Sequence, residues 1–179
     1  MRALAAAIDA VNDRIGRFVA WFALLIVLVQ FVVVVGRYVF GMGSIWMQES
    51  IVYMHALLFM LAAAYTLHDD GHVRVDIFYR EANPRLKAMV NLVGSLVLLV
   101  PVCVLIVWVS WGYVANSWAV MEGSKETSGI QGVYLLKTAI IVFAVQMGLQ
   151  GVSMMLRSLL ALGGDEGELK ALRAVTESE

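Results

Sequence analysis

Four long apolar segments, separated by shorter polar ones, dominate the pattern of this chain. They cover about residues 18–40, 46–67, 86–120 and 132–160. No Asp, Glu, Lys or Arg interrupts the second segment between Ser50 and Leu67, or the third between Ala88 and Met121. At about 1.5 Å per residue, a helix of this length crosses most of a hydrocarbon core roughly 30 Å thick. The pattern therefore predicts four transmembrane helices.

Two shorter segments combine apolar and charged positions at helical spacing. In residues 1–17 one face is apolar, and Asp9 and Asp13 lie on the other. The apolar stripe consists of Leu4, Ile8, Val11, Ile15 and Phe18. In residues 73–83 Phe78 lies on an apolar face, with charged side chains around the rest. Each segment predicts an amphipathic helix on the cytoplasmic membrane surface; for the first, a frayed polar tail is the alternative.

The composition decides which solvent surrounds the fold. With 61% hydrophobic residues and a mean hydropathy of +0.81, the chain cannot bury its apolar surface in one soluble core. Helices are the expected spanning form, because no segment alternates as barrel strands do. We therefore predict an all-α integral membrane protein whose four transmembrane helices form one domain, residues 18–162. Residues 163–179 are predicted to be a polar cytoplasmic tail, mobile in solution.

Lys and Arg residues are divided unevenly between the two ends of the predicted helices. Ten lie in the N-terminal segment, in the loop between the second and third helices and at the C-terminal end, and three lie on the opposite side. The ten are Arg2, Arg14, Arg17, Arg74, Arg80, Arg85, Lys87, Arg157, Lys170 and Arg173. By the positive-inside rule, both termini and the middle loop are predicted to be cytoplasmic.

The second predicted helix carries three residues of functional interest. Trp46 and Glu49 lie at its outer start, where the positive end of the helix dipole tolerates an ionised acid. Glu49 is a candidate for a polar contact with a partner or with lipid; an exposed interfacial acid is the alternative. His55 lies six residues deeper, where an unpaired polar group is costly. We expect a packed, hydrogen-bonded histidine in preference to a metal or haem ligand.

The third predicted helix is longer than the membrane requires. Its 34 residues without a formal charge, Ala88 to Met121, would measure roughly 51 Å as one helix. Such a helix must tilt, kink or project beyond the outer surface, and Pro101 is the expected kink site. Trp108, Trp111 and Trp118 share one face. They predict an outer aromatic anchor, with a partner surface as the alternative.

The sequence contains no recognisable catalytic or cofactor motif. It has no Gly-rich phosphate loop, paired-cysteine metal site or Ser-His-Asp order, and its single cysteine, Cys103, is expected to pack within an apolar run. We predict no catalytic, cofactor or metal site, no enzymatic activity and no nucleic-acid partner. A haem or quinone anchor of a respiratory enzyme is one alternative, although all three histidines lie on or just after the second helix. A self-sufficient small channel is another, although few polar residues would line it.

Two motifs in this setting resemble a known family. Trp46-x-x-Glu49 stands at the outer start of a helix, and residues 72–76, His-Val-Arg-Val-Asp, follow about two dozen residues later. Together with the four-span layout over about 150 residues, they resemble the small membrane subunit of tripartite ATP-independent periplasmic (TRAP) transporters, the DctQ-like or SiaQ-like Q subunit. Family members often have two consecutive acids after the tryptophan, whereas this chain has Gln48 before Glu49. This difference weakens any role that needs a double charge.

The resemblance implies a function in transport. The small subunit would scaffold and anchor a large, elevator-type permease subunit in the bacterial inner (cytoplasmic) membrane. That large multispan subunit would catalyse sodium-coupled secondary uptake of an organic acid or related solute, delivered by a periplasmic substrate-binding protein. The implied partners are these two proteins and membrane lipids. We expect Trp46 and Glu49 to contact the large subunit or lipids, and His72 and Asp76 to order the cytoplasmic turn, with local helix capping as the alternative for the second pair.

Overall fold

Six α-helices make up the described part of the chain. A computed structural model describes residues 1–72, 79 and 82–177, with side chains up to residue 172. No strand occurs in these residues. The helices are α1 Arg2–Val39, α2 Ile45–His68, α3 Pro84–Gly94, α4 Val100–Ala119, α5 Val133–Leu162 and α6 Glu166–Glu177.

Four helical stretches are long and apolar enough to cross a membrane. They are α1, α2, the continuous helix Pro84–Ala119 and α5. The continuous helix consists of α3, a π-helical turn at Ser95–Leu99 and α4. The prediction of an all-α chain with four candidate membrane spans is therefore confirmed, and the cytoplasmic position of both termini stays a prediction.

The π-helical turn lies directly before Pro101, where the sequence predicted a kink. Proline has no N–H to donate to the carbonyl of Val97, and its ring crowds that carbonyl. A π-helical turn changes the backbone pairing from residue i−4 to residue i−5, and so accommodates the missing donor. The sequence therefore located the irregularity but did not reveal its form.

Helix α5 is the centre of the fold. It contacts α1, α2, α3, α4 and α6, while α1 packs along α2. Among the described residues, neither α1 nor α2 makes close backbone contact with α3 or α4. A small apolar cluster of Ala64, Cys103 and Met147 joins α2, α4 and α5 at the side-chain level, so Cys103 packs as expected. The α1–α2 pair and the third span thus lie at different sides of α5.

Helix α1 continues through the boundary that the sequence analysis placed at residue 17. Its buried face consists of Ala5, Asp9, Asn12, Gly16 and Val19. By contrast, Leu4, Val11 and Phe18 of the predicted apolar stripe are 54% to 66% exposed. The polar face points inward because α5 supplies hydrogen-bond partners for it. The apolar stripe consequently faces away from the bundle. A position of residues 1–17 flat on the membrane surface stays a prediction.

Helices α1 and α2 approach each other closely at Gly16. A Cβ atom built on Gly16 would lie 2.3 Å from Cγ of Tyr65 on α2. Non-bonded carbon atoms prefer a separation of about 3.5 to 4.0 Å. Only a residue without a side chain therefore fits between α1 and the Tyr65 side chain.

The C-terminal segment forms a helix where the sequence analysis expected a mobile tail. Asp165 precedes α6, and its Oδ1 accepts hydrogen bonds from the backbone N–H groups of Gly167 at 3.0 Å and Glu168 at 3.3 Å. Such an acceptor satisfies N–H groups that the first helical turn leaves unpaired. Because α6 also contacts α3 and α5, packing against the bundle compensates for the entropy of ordering the tail.

Candidate functional site

Polar side chains line the contact between α1 and the C-terminal half of α5. On α5, Gln146, Gln150 and Ser153 recur every three or four residues and share one face. Asp9 and Asn12 of α1 face them, and all five are between 0% and 7% exposed. We call Asp9, Asn12, Gln146, Gln150, Ser153 and Arg157 the polar ladder.

Asp9 is the acceptor on which this polar ladder converges. Its carboxylate accepts hydrogen bonds from Ser153 Oγ at 2.6 Å, Gln150 Nε2 at 2.9 Å and Arg157 Nε at 3.0 Å. Arg157 also donates to Glu168 of α6 at 3.0 Å, and His68 Nε2 at the end of α2 lies 3.7 Å from Asp9 Oδ2. One buried acid thus brings together groups from α1, α2 and α5, and α6 joins through Arg157.

The amides of the polar ladder are oriented by Asp9, because an ionised carboxylate accepts hydrogen bonds and donates none. Gln150 turns Nε2 towards Asp9, so its Oε1 accepts from Asn12 Nδ2 at 2.7 Å. Asn12 Oδ1 in turn accepts from Gln146 Nε2 at 3.4 Å. Gln146 Oε1 ends the series and has no partner among the described residues. A single carboxylate therefore fixes the orientation of three amides.

Sequence analysis missed the polar ladder, although its signal is present in the chain. Taken one segment at a time, the sequence predicts an apolar fourth span and a surface helix whose polar face carries Asp9. Gln146, Gln150, Ser153 and Arg157 nevertheless recur at spacings of four, three and four. In a membrane span, such a polar stripe requires a polar partner, and Asp9 and Asn12, three residues apart, supply the matching stripe.

Glu49, the predicted polar contact at the outer start of α2, is bound within this chain. Its Oε2 accepts a hydrogen bond from the backbone N–H of Ile130 at 2.6 Å, and its Oε1 accepts one from Ser124 Oγ. Tyr53, one turn further along α2, donates to the carbonyl of Ile130 at 3.5 Å. Glu49 therefore attaches the loop between α4 and α5 to α2.

An ion pair lies at the same end of the molecule as Glu49. Glu122, in the loop after α4, accepts from Lys137 of α5 and from Ser117 Oγ at 2.7 Å. The Lys137 ammonium lies 3.9 Å from the centre of the Tyr113 ring, a cation–π contact. The hydrogen bonds from Lys137 and Ser117 favour the ionised form and lower the pKa of Glu122 below its ordinary value of 4.5.

The other predicted site residues are exposed or lie outside the described residues. Trp46 is 58% exposed. His55 is exposed as well, and within the described chain no group hydrogen-bonds to its imidazole, so the expected packed environment is absent there. His72 is exposed, while Asp76 and most of the predicted helix 73–83 lie outside the described residues. The roles proposed for Trp46, His72 and Asp76 stay predictions.

Cavities at the surface of the described helices include one near α6 and one between α4 and α5. A cavity of about 290 Å³ lies near α6, and His68, Gln150 and Arg157 are among its lining residues. A groove of about 800 Å³ lies between α4 and α5, with mainly apolar walls that include Trp108 and Trp111. No group of three or more His, Cys, Asp or Glu residues in the described ranges is arranged to hold a metal ion.

A comparison with protein families matches most of this chain. The family model described as "Tripartite ATP-independent periplasmic transporters, DctQ component" matches residues 25–162. The match includes Trp46, Glu49 and the α5 residues of the polar ladder, whereas Asp9 and Asn12 precede it. No curated protein and no solved structure matches the chain.

Proposed function

Because the chain belongs to the DctQ component family of tripartite ATP-independent periplasmic transporters, and so is the small permease subunit of such a transporter, we propose that it scaffolds the large permease subunit. In this proposal the large subunit moves an organic acid or related solute by an elevator motion coupled to sodium. A periplasmic binding protein delivers the solute. The small subunit anchors the large one in the bacterial inner membrane, with both termini in the cytoplasm.

The polar ladder is the observation that carries this proposal. Transport sites in membranes are usually built near the midplane from groups that bind and release a substrate or ion. Here Asp9 and Arg157 instead bind each other at 3.0 Å, while Ser153 and Gln150 also donate to Asp9 and Arg157 also donates to Glu168. These bonds join α1, α5 and α6 into one unit. A helical frame fixed by internal bonds suits a subunit against which a partner moves.

Joint purification of the chain with its large subunit tests the proposal. We expect the tagged chain, extracted from its native membrane in mild detergent, to retain a multispan permease in near-equal amount. Removing the chain should abolish uptake by cells that still contain the other two components. Recovery of the chain alone, or with a redox enzyme, would contradict the proposal. A Soret band in the purified protein would favour the haem anchor, an alternative for which the family match gives no support.

We also propose that Trp46 contacts the large subunit or lipid directly, whereas Glu49 acts through the loop that it binds. Trp46 presents an exposed indole at the start of α2, and amphipathic rings favour the membrane surface. Both carboxylate oxygens of Glu49 are used by Ser124 and Ile130. Trp46 and the loop that Glu49 binds would then form one surface at the outer end of the subunit.

A Glu49→Gln substitution tests this second proposal. The amide keeps one acceptor oxygen but places an NH₂ group beside one of the two donors, Ser124 Oγ or the Ile130 N–H. We therefore expect faster hydrogen exchange at Ile130 and a lower yield of the transporter complex. Glu126→Gln, in the exposed part of the same loop, is the matched control and should behave like the unaltered chain. The proposal would be contradicted if Glu49→Gln left hydrogen exchange in the loop, the yield of the complex and solute uptake unchanged. Glu49 would then neither order the loop nor support the contact with the large subunit.

A further inference from the structure

An exposed stripe on α2 contains a polar residue at mid-membrane depth. Val52, His55 and Phe59 recur at spacings of three and four, so they share one helical face. Val52 is 58% exposed and Phe59 is 76% exposed, and His55 between them is exposed too. This stripe therefore points away from the helices that cover the rest of α2.

The depth of His55 makes its exposure informative. It lies ten residues after Ile45, the first residue of α2, which corresponds to about 15 Å along the helix axis. That distance is close to half of a hydrocarbon core roughly 30 Å thick. An imidazole at this depth needs a hydrogen-bond partner, and the described part of the chain offers none.

Helix α1 adds a second polar group at the same depth. Gln30 is exposed and lies nine residues before Val39, the last residue of α1, or about 14 Å from that end. Since α1 and α2 are joined by a short turn and pack side by side, Gln30 and His55 lie at matching levels on neighbouring helices. Two adjacent helices thus expose hydrogen-bonding side chains where lipid supplies no partner.

The exposed surface of α4 has a different character. Between Pro101 and Leu105 the exposed side chains are all aliphatic, with Val102 50% exposed and Val104 62% exposed. Acyl chains satisfy such a surface completely. Lipid therefore suits the α4 surface, whereas the stripe on α2 requires a partner that carries its own polar group.

We propose that the α2 stripe of Val52, His55 and Phe59 is the contact surface for a transmembrane helix of the large permease subunit, which presents a hydroxyl, amide or carboxylate to His55. This proposal rests on the proposed function and specifies which face of the small subunit carries out the scaffolding. Interhelical hydrogen bonds of this kind contribute to association in membranes, where apolar contact alone distinguishes a helix poorly from lipid.

Photo-crosslinking from two matched positions tests the contact. The photoreactive residue p-benzoylphenylalanine replaces Phe59 on α2 or Trp108 on α4, two aromatic positions with exposures of 76% and 77%. Membranes that contain the complete transporter are irradiated, and the tagged chain is analysed for covalent partners. We expect a cross-link to the large subunit from position 59 and a much weaker one, or none, from position 108.

The other outcomes separate this proposal from the proposed function. Cross-linking to the large subunit with equal or higher yield from position 108 would overturn the assignment to α2 and leave the scaffold function intact. A complex that purifies together without a cross-link at position 59 would also overturn it, as would a cross-link from position 59 to a second copy of this chain. Failure to purify together at all would contradict the proposed function itself.

Substitution of His55 tests the hydrogen bond within that contact. His55→Leu should lower the yield of complex in detergent about three- to tenfold, whereas His55→Gln, which keeps both hydrogen-bonding functions, should retain most of it. Val104→Leu, on the exposed surface of α4, is the control for an altered membrane surface. Equal yields for His55→Leu and the control, with both chains folded by size-exclusion chromatography, would overturn the proposal.

Discussion

Asp9 and Asp13 lie one helical turn apart on α1 and have opposite environments. The Asp9 side chain is 6% exposed and receives hydrogen bonds from three side chains of α5, whereas Asp13 is 31% exposed and pairs with Arg17, itself 75% exposed. Water and ions screen an exposed pair. A buried pair cannot lose one member without leaving the other charge poorly solvated. The same residue type therefore stabilises the fold at one position and is replaceable at the next.

We expect Asp9→Ala to lower the free energy of unfolding by about 2 to 4 kcal/mol. This loss is at the low end of the range for breaking a buried ion pair. The reason is that the Arg157 side chain is 39% exposed and still pairs with Glu168 in the variant. Asp13→Ala is the matched control and should leave the stability almost unchanged. Unfolding of both variants in mixed detergent micelles provides the comparison. Equal effects of the two substitutions would show that the polar ladder does not stabilise the bundle.

At the scale of elements, the long apolar runs predicted the spans, but they did not predict how the helices pack. All four runs became helices, because hydrocarbon leaves the backbone no other way to pair its polar groups within a segment. The inward face of α1 could not be inferred from α1 alone, because Asp9 is buried only if α5 brings Ser153 and Arg157 to it. When each helix is considered alone, its polar residues are predicted to face water. In this fold, the polar residues of α1 face α5 instead.

Gly16 provides a prediction about the contact between two elements. Gly16→Ala would place a methyl group 2.3 Å from Cγ of Tyr65, so α1 and α2 must move apart or the tyrosine must change rotamer. We expect a loss of about 1 to 3 kcal/mol in stability. Gly112→Ala, at a helical glycine with open space around it, is the control and should match or exceed the original stability. Thermal unfolding by size-exclusion chromatography would measure both, and equal melting temperatures would contradict the close approach.

At the scale of the whole molecule, an ion pair lies at each end of the bundle. Asp9 and Arg157 are 148 residues apart in sequence and meet at one end, and Glu122 and Lys137 meet at the other. Glu49 adds the attachment of the outer loop to α2. These polar contacts add to the packing contacts between the spans, such as Gly16 against Tyr65, in specifying which helices are neighbours.

The pair at the outer end predicts a pH dependence. Because hydrogen bonds from Lys137 and Ser117 lower the pKa of Glu122 from its ordinary 4.5, its contribution to stability is present above that value and is lost as the pH falls through the lowered pKa. Glu122→Gln should therefore reduce the melting temperature at about pH 7, and this difference should shrink as the pH falls below the ordinary value of 4.5. Glu126→Gln, with an exposed side chain, serves as the control. A difference that persists at the lower pH would assign the effect to packing.

The candidate sites could be predicted only where one segment carried the whole signal. Trp46 and Glu49 share one helix start, so they were found, but the partner of Glu49 was not. Glu49 accepts hydrogen bonds from Ser124 and Ile130, which lie 75 and 81 residues further along the chain in a loop without a distinctive sequence pattern. The polar ladder was not predicted for the same reason: its two polar stripes are visible in the sequence, but only the arrangement of the first and last helices pairs them. Contacts between segments of high sequence separation are set by the arrangement of helices, which no local pattern encodes.

The central position of α5 has a consequence for how this protein is made. At roughly 5 to 20 residues per second, the ribosome synthesises Ser153 about 7 to 30 seconds after Asp9, since 144 residues separate them. Until then Asp9 lacks its three hydrogen-bond donors on α5, and Asn12 lacks its two glutamine partners. Because α5 contacts every other helix, a chain that stops before α5 leaves the polar face of α1 without the groups that bury and pair it.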